Sequence, residues 1–251
     1  MAARFIARQV RTKPLALTNL PPMVSFTFDD VPSSACERGA RILEDHGARA
    51  TYYVAGGSCG TTRGGGPPLA SGDQIGKLWA DGHEIGCHTY SHTAVRYMSR
   101  TEIGGELERN QSFLRNIDSD IVVRNFAYPY GDMSVRTKRF LEARFDSCRS
   151  VHAGINTDIV DLGALNAWPL ESASLDRPKI GSLIDEAVRH RGWLIFYTHD
   201  VADNPSRFGV SPDLLEFALG AAQKAGCAVT TVAQSLNRIN AAVSAERLAN
   251  M

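Results

Sequence analysis

Short apolar and β-branched runs alternate along this chain with stretches whose apolar positions repeat at helical spacing. Runs at residues 24–28, 50–55, 84–87, 125–129, 145–150, 193–198 and 228–232 predict strands. The stretches between them predict helices, several with a legible start. Ser34 with Glu37, Ser71 with Gln74 and Ser99 with Glu102 each set an acid or amide three residues after a hydroxyl, a spacing that satisfies two orphan backbone N–H groups at once. Gly47 and Gly82 close the first two of these helices, because glycine accepts the left-handed turn that ends a helix, and the third runs to about Ile117. Further helices are expected from Ser134 to about Arg144, over residues 179–191, and behind Ser211, where Pro212 at the first helical position lacks an N–H that would have had no partner. Residues 152–178 show no readable period. Unbroken alternation of strand and helix predicts a single parallel α/β domain, open or closed into a barrel.

Composition adds mainly exclusions. The 251 residues suffice for a sizeable core. Lys and Arg number 27 against 27 Asp and Glu, and no basic stripe interrupts the balance, so neither nucleic acid nor a membrane surface is expected as a partner. No apolar run approaches the roughly 18 residues of a spanning helix. The five cysteines are odd in number and never paired as Cys-x-x-Cys, which argues for buried thiols and against a disulfide framework or zinc ribbon. Residues 1–20 read as a basic arm carrying Arg4, Arg8, Arg11 and Lys13, residues 21–236 as the domain, and 237–251 as a helical tail. Pro21 and Pro22 break the apolar stretch after the arm, so no secretory leader is read and a cytoplasmic protein is expected. The glycine-rich stretch 56–66 lacks the Gly-Lys-Ser/Thr ending of a phosphate loop and reads as a mobile surface loop.

The candidate chemistry falls at the C-terminal ends of predicted strands, the rim where parallel α/β folds bind and transform ligands. Asp29 and Asp30 end the first run, His88 and His92 follow the third, Tyr130 follows the fourth, and His199 ends the run at 193–198. Asp-Asp-x-Pro alone is also a good turn. His88 and His92 can converge on one cation if their segment takes a helical turn, and two neutral imidazoles with one carboxylate suit zinc while leaving positions open for water. His83 and Glu84 suggest a zinc-protease helix, but that motif needs its second histidine where Cys87 stands, so His83 reads as structural. His199, on the same rim, suits a general acid because imidazole titrates near neutrality.

The ordered set Thr27-Phe28-Asp29-Asp30, His88-Thr89-Tyr90-Ser91-His92, Phe126-Ala127-Tyr128-Pro129-Tyr130-Gly131 and His199 resembles the polysaccharide deacetylase family, the NodB-homology domain, over roughly residues 21–236. The resemblance implies a distorted parallel (β/α) barrel of about seven strands, one divalent metal, commonly zinc, and hydrolysis of an N- or O-acetyl group from a sugar or oligosaccharide. It implies Asp29 as catalytic base, Asp30, His88 and His92 as metal ligands, and His199 as acid. It places Pro129 and Tyr130 against the substrate, with the Tyr130 backbone N–H toward the oxyanion. Two positions depart from the pattern: Ala127 stands where the family often has an arginine that orients the base, and its acid-and-tryptophan motif is represented by Asn166 and Trp168. Trp168 is expected to help shape the pocket. Arg124 is near Ala127 in sequence, but on a regular strand it would face the other way and lie about 10 Å upstream.

Three other readings compete. One keeps fold and metal but cleaves a non-sugar amide such as a cyclic ureide or imide. Another is a catalytically silent metal or glycan binder, against which Asp29 and His199 argue. The last is a two-histidine, one-carboxylate iron oxygenase, which leaves Asp29 unexplained.

Overall fold

A computed structural model describes residues 2–18, 20–62 and 65–249. Residues 63 and 64 of the glycine-rich stretch, and residues 1, 19, 250 and 251 of the expected arm and tail, lie outside the described residues. In chain order the elements are α1 (Ala2–Gln9), β1 (Pro14–Ala16), β2 (Met23–Asp29), α2 (Ala40–Asp45), β3 (Thr51–Val54), α3 (Gly72–Ala80), β4 (Glu84–Cys87), α4 (Arg100–Ile117), β5 (Asn125–Ala127), α5 (Val135–Glu142) and β6 (Ser147–Arg149). There follow β7 (Ile159–Asp161), β8 (Trp168–Pro169), α6 (Arg177–Arg189), β9 (Trp193–Thr198), α7 (Pro212–Lys224), β10 (Ala228–Val229) and α8 (Val232–Ala249).

Seven parallel strands form one curled sheet in the order β6-β5-β4-β3-β2-β9-β8, with β10 beside the start of β2. The curl nearly closes. The chain after β7 runs along β6, where Leu165 exchanges backbone hydrogen bonds with Cys148 and Ser150, and then enters β8 on the opposite edge. The expected distorted β/α barrel is therefore what the chain forms.

Strand β2 explains why this architecture carries a polar heart. Val24, Phe26 and Phe28 face the surrounding helices, with Phe26 stacked on Phe196 and Phe28 on Tyr52. The alternate residues Ser25, Thr27 and Asp29 are equally buried but turn inward. Ser25 Oγ accepts from Trp193 Nε1 at 2.9 Å, and Thr27 Oγ1 donates to the Phe196 carbonyl at 2.9 Å. Outside, α7 buries Leu214, Leu215, Ala218, Leu219 and Ala222 along one stripe, where each fully buried leucine contributes about 1.5–3 kcal/mol.

The capping boxes at Ser71 and Ser99 form as expected, and Ser134 forms another with Thr137. Ser34 departs from expectation. Its residues are already helical, the chain enters α2 through a π-helical turn at Ala35–Gly39, and Ser34 Oγ instead accepts the Val201 N–H at 3.1 Å. The glycine-rich stretch is partly packed: a Cβ on Gly56 would lie 2.5 Å from the Phe113 ring, and Gly56 N–H donates to Asn110.

Both ends of the chain join the domain more closely than an arm and a tail would. Strand β1 pairs antiparallel with β7. The fully buried Lys138 ammonium donates to the carbonyls of Ala7 and Val10 and to Asp161, while Lys13 Nζ donates to the carbonyls of Glu142, Phe145 and Asp146 at the end of α5. Residues 237–249 continue α8, whose first N–H groups donate to Thr51 Oγ1 and Glu84. The five cysteines are free, and burial pushes the Cys36, Cys59, Cys87 and Cys148 thiols up to about 12, which makes them poor nucleophiles. Among the described residues no helix is long and apolar enough to cross a membrane.

Candidate active site

Among the described residues seven non-glycine residues have positive φ, and five of them belong to the loops at the C-terminal rim: Asp30, Val31, Thr89, His92 and Tyr130. Such conformations are costly for L-residues and persist where the surroundings over-determine them. At the end of β2 they solve a geometric problem. A continuing strand would send Asp30 to the face opposite Asp29. The left-handed turn at Asp30 and Val31 re-aims the chain, so Asp29 stays inside the barrel and Asp30 turns toward the histidines.

His88 and His92 do converge, with ring centroids 4.8 Å apart, but not through a helical turn. The segment is a loop bent at Thr89 and His92. Glu106 of α4, itself buried, holds that loop by accepting the N–H groups of Tyr90 and Ser91 at 3.1 and 2.7 Å and the Ser91 hydroxyl at 3.1 Å. His88 Nδ1 lies 2.8 Å from the Ala127 carbonyl, which can only accept, so Nδ1 carries the proton and Nε2 keeps its lone pair. Burial pushes the His88 imidazole down to about 4, which keeps it neutral. His92 directs Nδ1 to the Tyr130 hydroxyl at 3.1 Å and Nε2 toward Asp30 at 3.2 Å.

Ligand atoms of Asp30, His88 and His92 all lie within 4.8 Å of one another. One carboxylate and two imidazoles, at least one held as the metal-binding tautomer by a backbone carbonyl, are a donor set that fits a divalent cation with positions left for water.

Arg149, at the end of β6, is the residue that sequence reasoning missed. One guanidinium nitrogen reaches both Asp29 oxygens, at 2.6 and 2.5 Å, and both side chains are buried. The guanidinium lies 5.2 Å from the Tyr53 ring and 5.0 Å from the Tyr197 ring, and it donates to the Ser150 carbonyl. Burial drives the Asp29 carboxyl up, but Arg149, with His88 and His199, draws it down further, below the ordinary carboxylate range. The candidate base Asp29 therefore has an arginine despite Ala127, supplied from another strand. The signal was available: Arg149 lies at the end of the run at 145–150, on the same rim as Asp29, Asp30, His88, His92 and His199.

His199 directly follows β9, half-buried, with Nδ1 3.3 Å from the Phe208 carbonyl. Beside it lies a cavity of about 290 Å³ whose lining includes Asp30, Leu69, His199, Asp200, Ser206 and Phe208, so a candidate metal ligand and the candidate acid face the same cavity. Pro129 is buried at the start of the turn that carries Tyr130, whose ring packs edge-on to His92 at 4.5 Å and is otherwise largely exposed.

Other residues go elsewhere. Trp168 pairs with Phe196 across β8 and β9 and packs among the helices, with Lys179 Nζ 5.0 Å over its ring; it does not line the cavity at His199. The reason is register: the partner of an outward-facing Phe196 also faces outward. Asn166 is bound through its backbone to Asn156. Arg124 pairs with Asp146 just before the start of β6, far from the rim. His83 is structural, with Nδ1 accepting the Ala50 N–H and Nε2 facing Glu44 at 2.9 Å.

Residues 17–144 match the family model described as polysaccharide deacetylase. The chain belongs to the polysaccharide deacetylase family. A chitin deacetylase from Colletotrichum lindemuthianum is 30% identical over 118 residues, 47% of this chain and 46% of the relative, so the match spans just under half the relative's length. A chitooligosaccharide deacetylase from Azorhizobium caulinodans is 25% identical over 73% of this chain and 76% of its own. The solved structure of the Colletotrichum family member superposes with a TM-score of 0.62 at 20% identity, covering 89% of this chain and 90% of that one. A family 4 acetyl xylan esterase from Clostridium thermocellum, solved with a cobalt ion, gives 0.59 at 19% identity, covering 84% and 89%. These likenesses establish the family's barrel here, and Asp30, His88 and His92 form the divalent metal site typical of it. The family match ends before Arg149 and His199.

Proposed function

We propose that the protein hydrolyses an acetyl group from an acetylated sugar or oligosaccharide, with one zinc ion held by Asp30, His88 and His92. The observation that carries this reading is the neighbourhood of that ligand set: a carboxylate kept ionised by a buried arginine, and a histidine facing the same cavity as Asp30. A binder needs neither. The relatives named as chitin, chitooligosaccharide and xylan deacetylating enzymes supply the substrate class.

Bound zinc lowers the pKa of water and polarises an acetyl carbonyl. The chain's own residues do the rest. Asp29, fixed by Arg149, takes the proton of the attacking water. Its low pKa makes it a weak base, so the ion pair trades basicity for position and for a reliably open lone pair. The backbone N–H of Tyr130, presented by the left-handed turn after Pro129, is assigned to the developing oxyanion. His199, with Nδ1–H directed at Phe208, protonates the leaving amine or alcohol through Nε2.

The test is acetate release from N-acetylated and O-acetylated sugars and oligosaccharides by protein loaded with zinc or cobalt. Chelator-sensitive release from at least one of them is expected. Full metal loading with no release from any acetylated sugar would overturn the reading.

A further inference from the structure

Among the described residues no carboxylate comes within ion-pair distance of His199, and Trp168 packs under Lys179. The imidazole still needs something to fix its tautomer and plane if Nε2 is to meet a leaving group. The Phe208 carbonyl is what faces Nδ1, and the Phe208 ring lies 5.4 Å from the imidazole. The same carbonyl accepts from Thr198 Oγ1 at 3.3 Å.

Phe208 is held there by the residue next to the histidine. Asp200 is 3% exposed, and both its oxygens are bound by the loop that follows. One accepts the Ser206 N–H at 2.7 Å, and the other accepts the Ser206 hydroxyl at 2.5 Å. Ser206 Oγ in turn accepts the Phe208 N–H at 3.3 Å. The Asp200 carbonyl accepts the Val210 N–H at 2.9 Å, closing the loop. Gly209 lets the loop press on the carboxylate: a Cβ there would lie 2.5 Å from it. A buried carboxylate is tolerated only when its lone pairs are filled, so the loop has one strongly preferred course, the one that leads the Phe208 carbonyl to His199.

We propose that Asp200 is a positioning residue for His199. It acts through Ser206 and the Phe208 carbonyl. The inference rests on reading His199 as the acid of the deacetylation. The imidazole is fixed at Nδ1 by a neutral acceptor.

The zinc-loaded 251-residue chain is compared with its Asp200→Asn, Ser206→Ala, His199→Ala and Asp200→Asn/His199→Ala variants, on an N-acetylated chitooligosaccharide and on 4-nitrophenyl acetate. The amine leaves only when protonated, whereas the nitrophenolate leaves unaided. Asp200→Asn presents an NH2 to groups that donate, and Ser206→Ala deletes the link outright. Each should lower amide turnover by about tenfold to a hundredfold and aryl-ester turnover by less than about threefold. Asp200→Asn should cost nothing further in the His199→Ala background. Equal losses on both substrates, or losses that multiply in the double variant, would show a loop that matters only for folding.

A second readout needs no turnover. Nitrogen-15 chemical shifts should report His199 as the Nδ1–H tautomer in the parent and a mixture in Ser206→Ala and Asp200→Asn. An unchanged tautomer in both variants overturns the proposal. Failure of the deacetylase reading would look different: the parent would release no acetate while keeping this tautomer.

Discussion

The two groups proposed to handle protons at this site are held in contrasting ways. Asp29 sits inside the barrel, its charge matched by an arginine fully buried between two tyrosines, and both partners belong to regular strands. His199 sits on the exposed edge of the same rim, and its contact is a backbone carbonyl in an irregular loop. A base that must stay ionised gains from a rigid counter-charge. An acid that must alternate between two protonation states gains from a partner that favours neither strongly. The buried half should therefore fail by collapse and the exposed half by misorientation.

The largest expected effect falls on what both halves share. His88→Ala/His92→Ala should lose nearly all bound metal from a stoichiometry of about one per chain. Undiminished metal content in that variant would remove the centre around which the two halves are compared. Asp29→Asn should retain metal yet lose roughly two to four orders of magnitude in turnover.

Arg149→Ala tests whether the buried half collapses. It strands the Asp29 carboxylate, and denaturant titration should show a loss of about 3–5 kcal/mol together with turnover. Asp29→Asn/Arg149→Met should recover much of that stability and none of the activity. If Arg149→Ala is as stable as the parent, the ion pair is not what holds this half.

Acid should strike the same half. The unfolded chain protonates His88 near 6.5, but the folded protein resists until about 4. Between those values the unfolded state binds more protons, so stability falls as pH falls, by on the order of 3 kcal/mol across the window in metal-free protein. The depressed Asp29 acts in the same direction at lower pH, its contribution lost as pH falls through its folded-state value. Urea midpoints at pH 7 and pH 4 should therefore converge for His88→Gln relative to the parent.

On the exposed half, His199→Ala should leave folding intact and damage amide hydrolysis far more than aryl-ester hydrolysis. The smallest effect belongs to Arg124→Ala, which removes a half-exposed pair with Asp146 and should change turnover by less than about tenfold.

What the sequence disclosed follows the same division. Strand ends were legible because apolar runs stop where they must, and Asp29, Asp30, His88, His92 and His199 all sit at such stops. Arg149 was overlooked because its partner is remote in the chain, and only the curl of the sheet brings β6 back to the mouth of β2. Convergence of His88 and His92 was legible from their spacing, but the left-handed bend that achieves it was not, since spacing alone does not distinguish it from a helical turn. Trp168 was misplaced because a two-residue strand has no alternation from which a facing could be read.

Lys138 bears on where the domain begins. The family match starts at residue 17, and a protein trimmed there would look complete by motif. It would also lack the Ala7 and Val10 carbonyls that receive the Lys138 ammonium, and the Thr12 and Lys13 N–H groups that share Asp161. A dehydrated cation would remain under α5 with one carboxylate for company, an invitation to aggregate. The working unit of this barrel thus extends upstream of its recognisable motif, and a trimmed version that proves insoluble would report on a missing lid for Lys138, with the catalytic rim untouched.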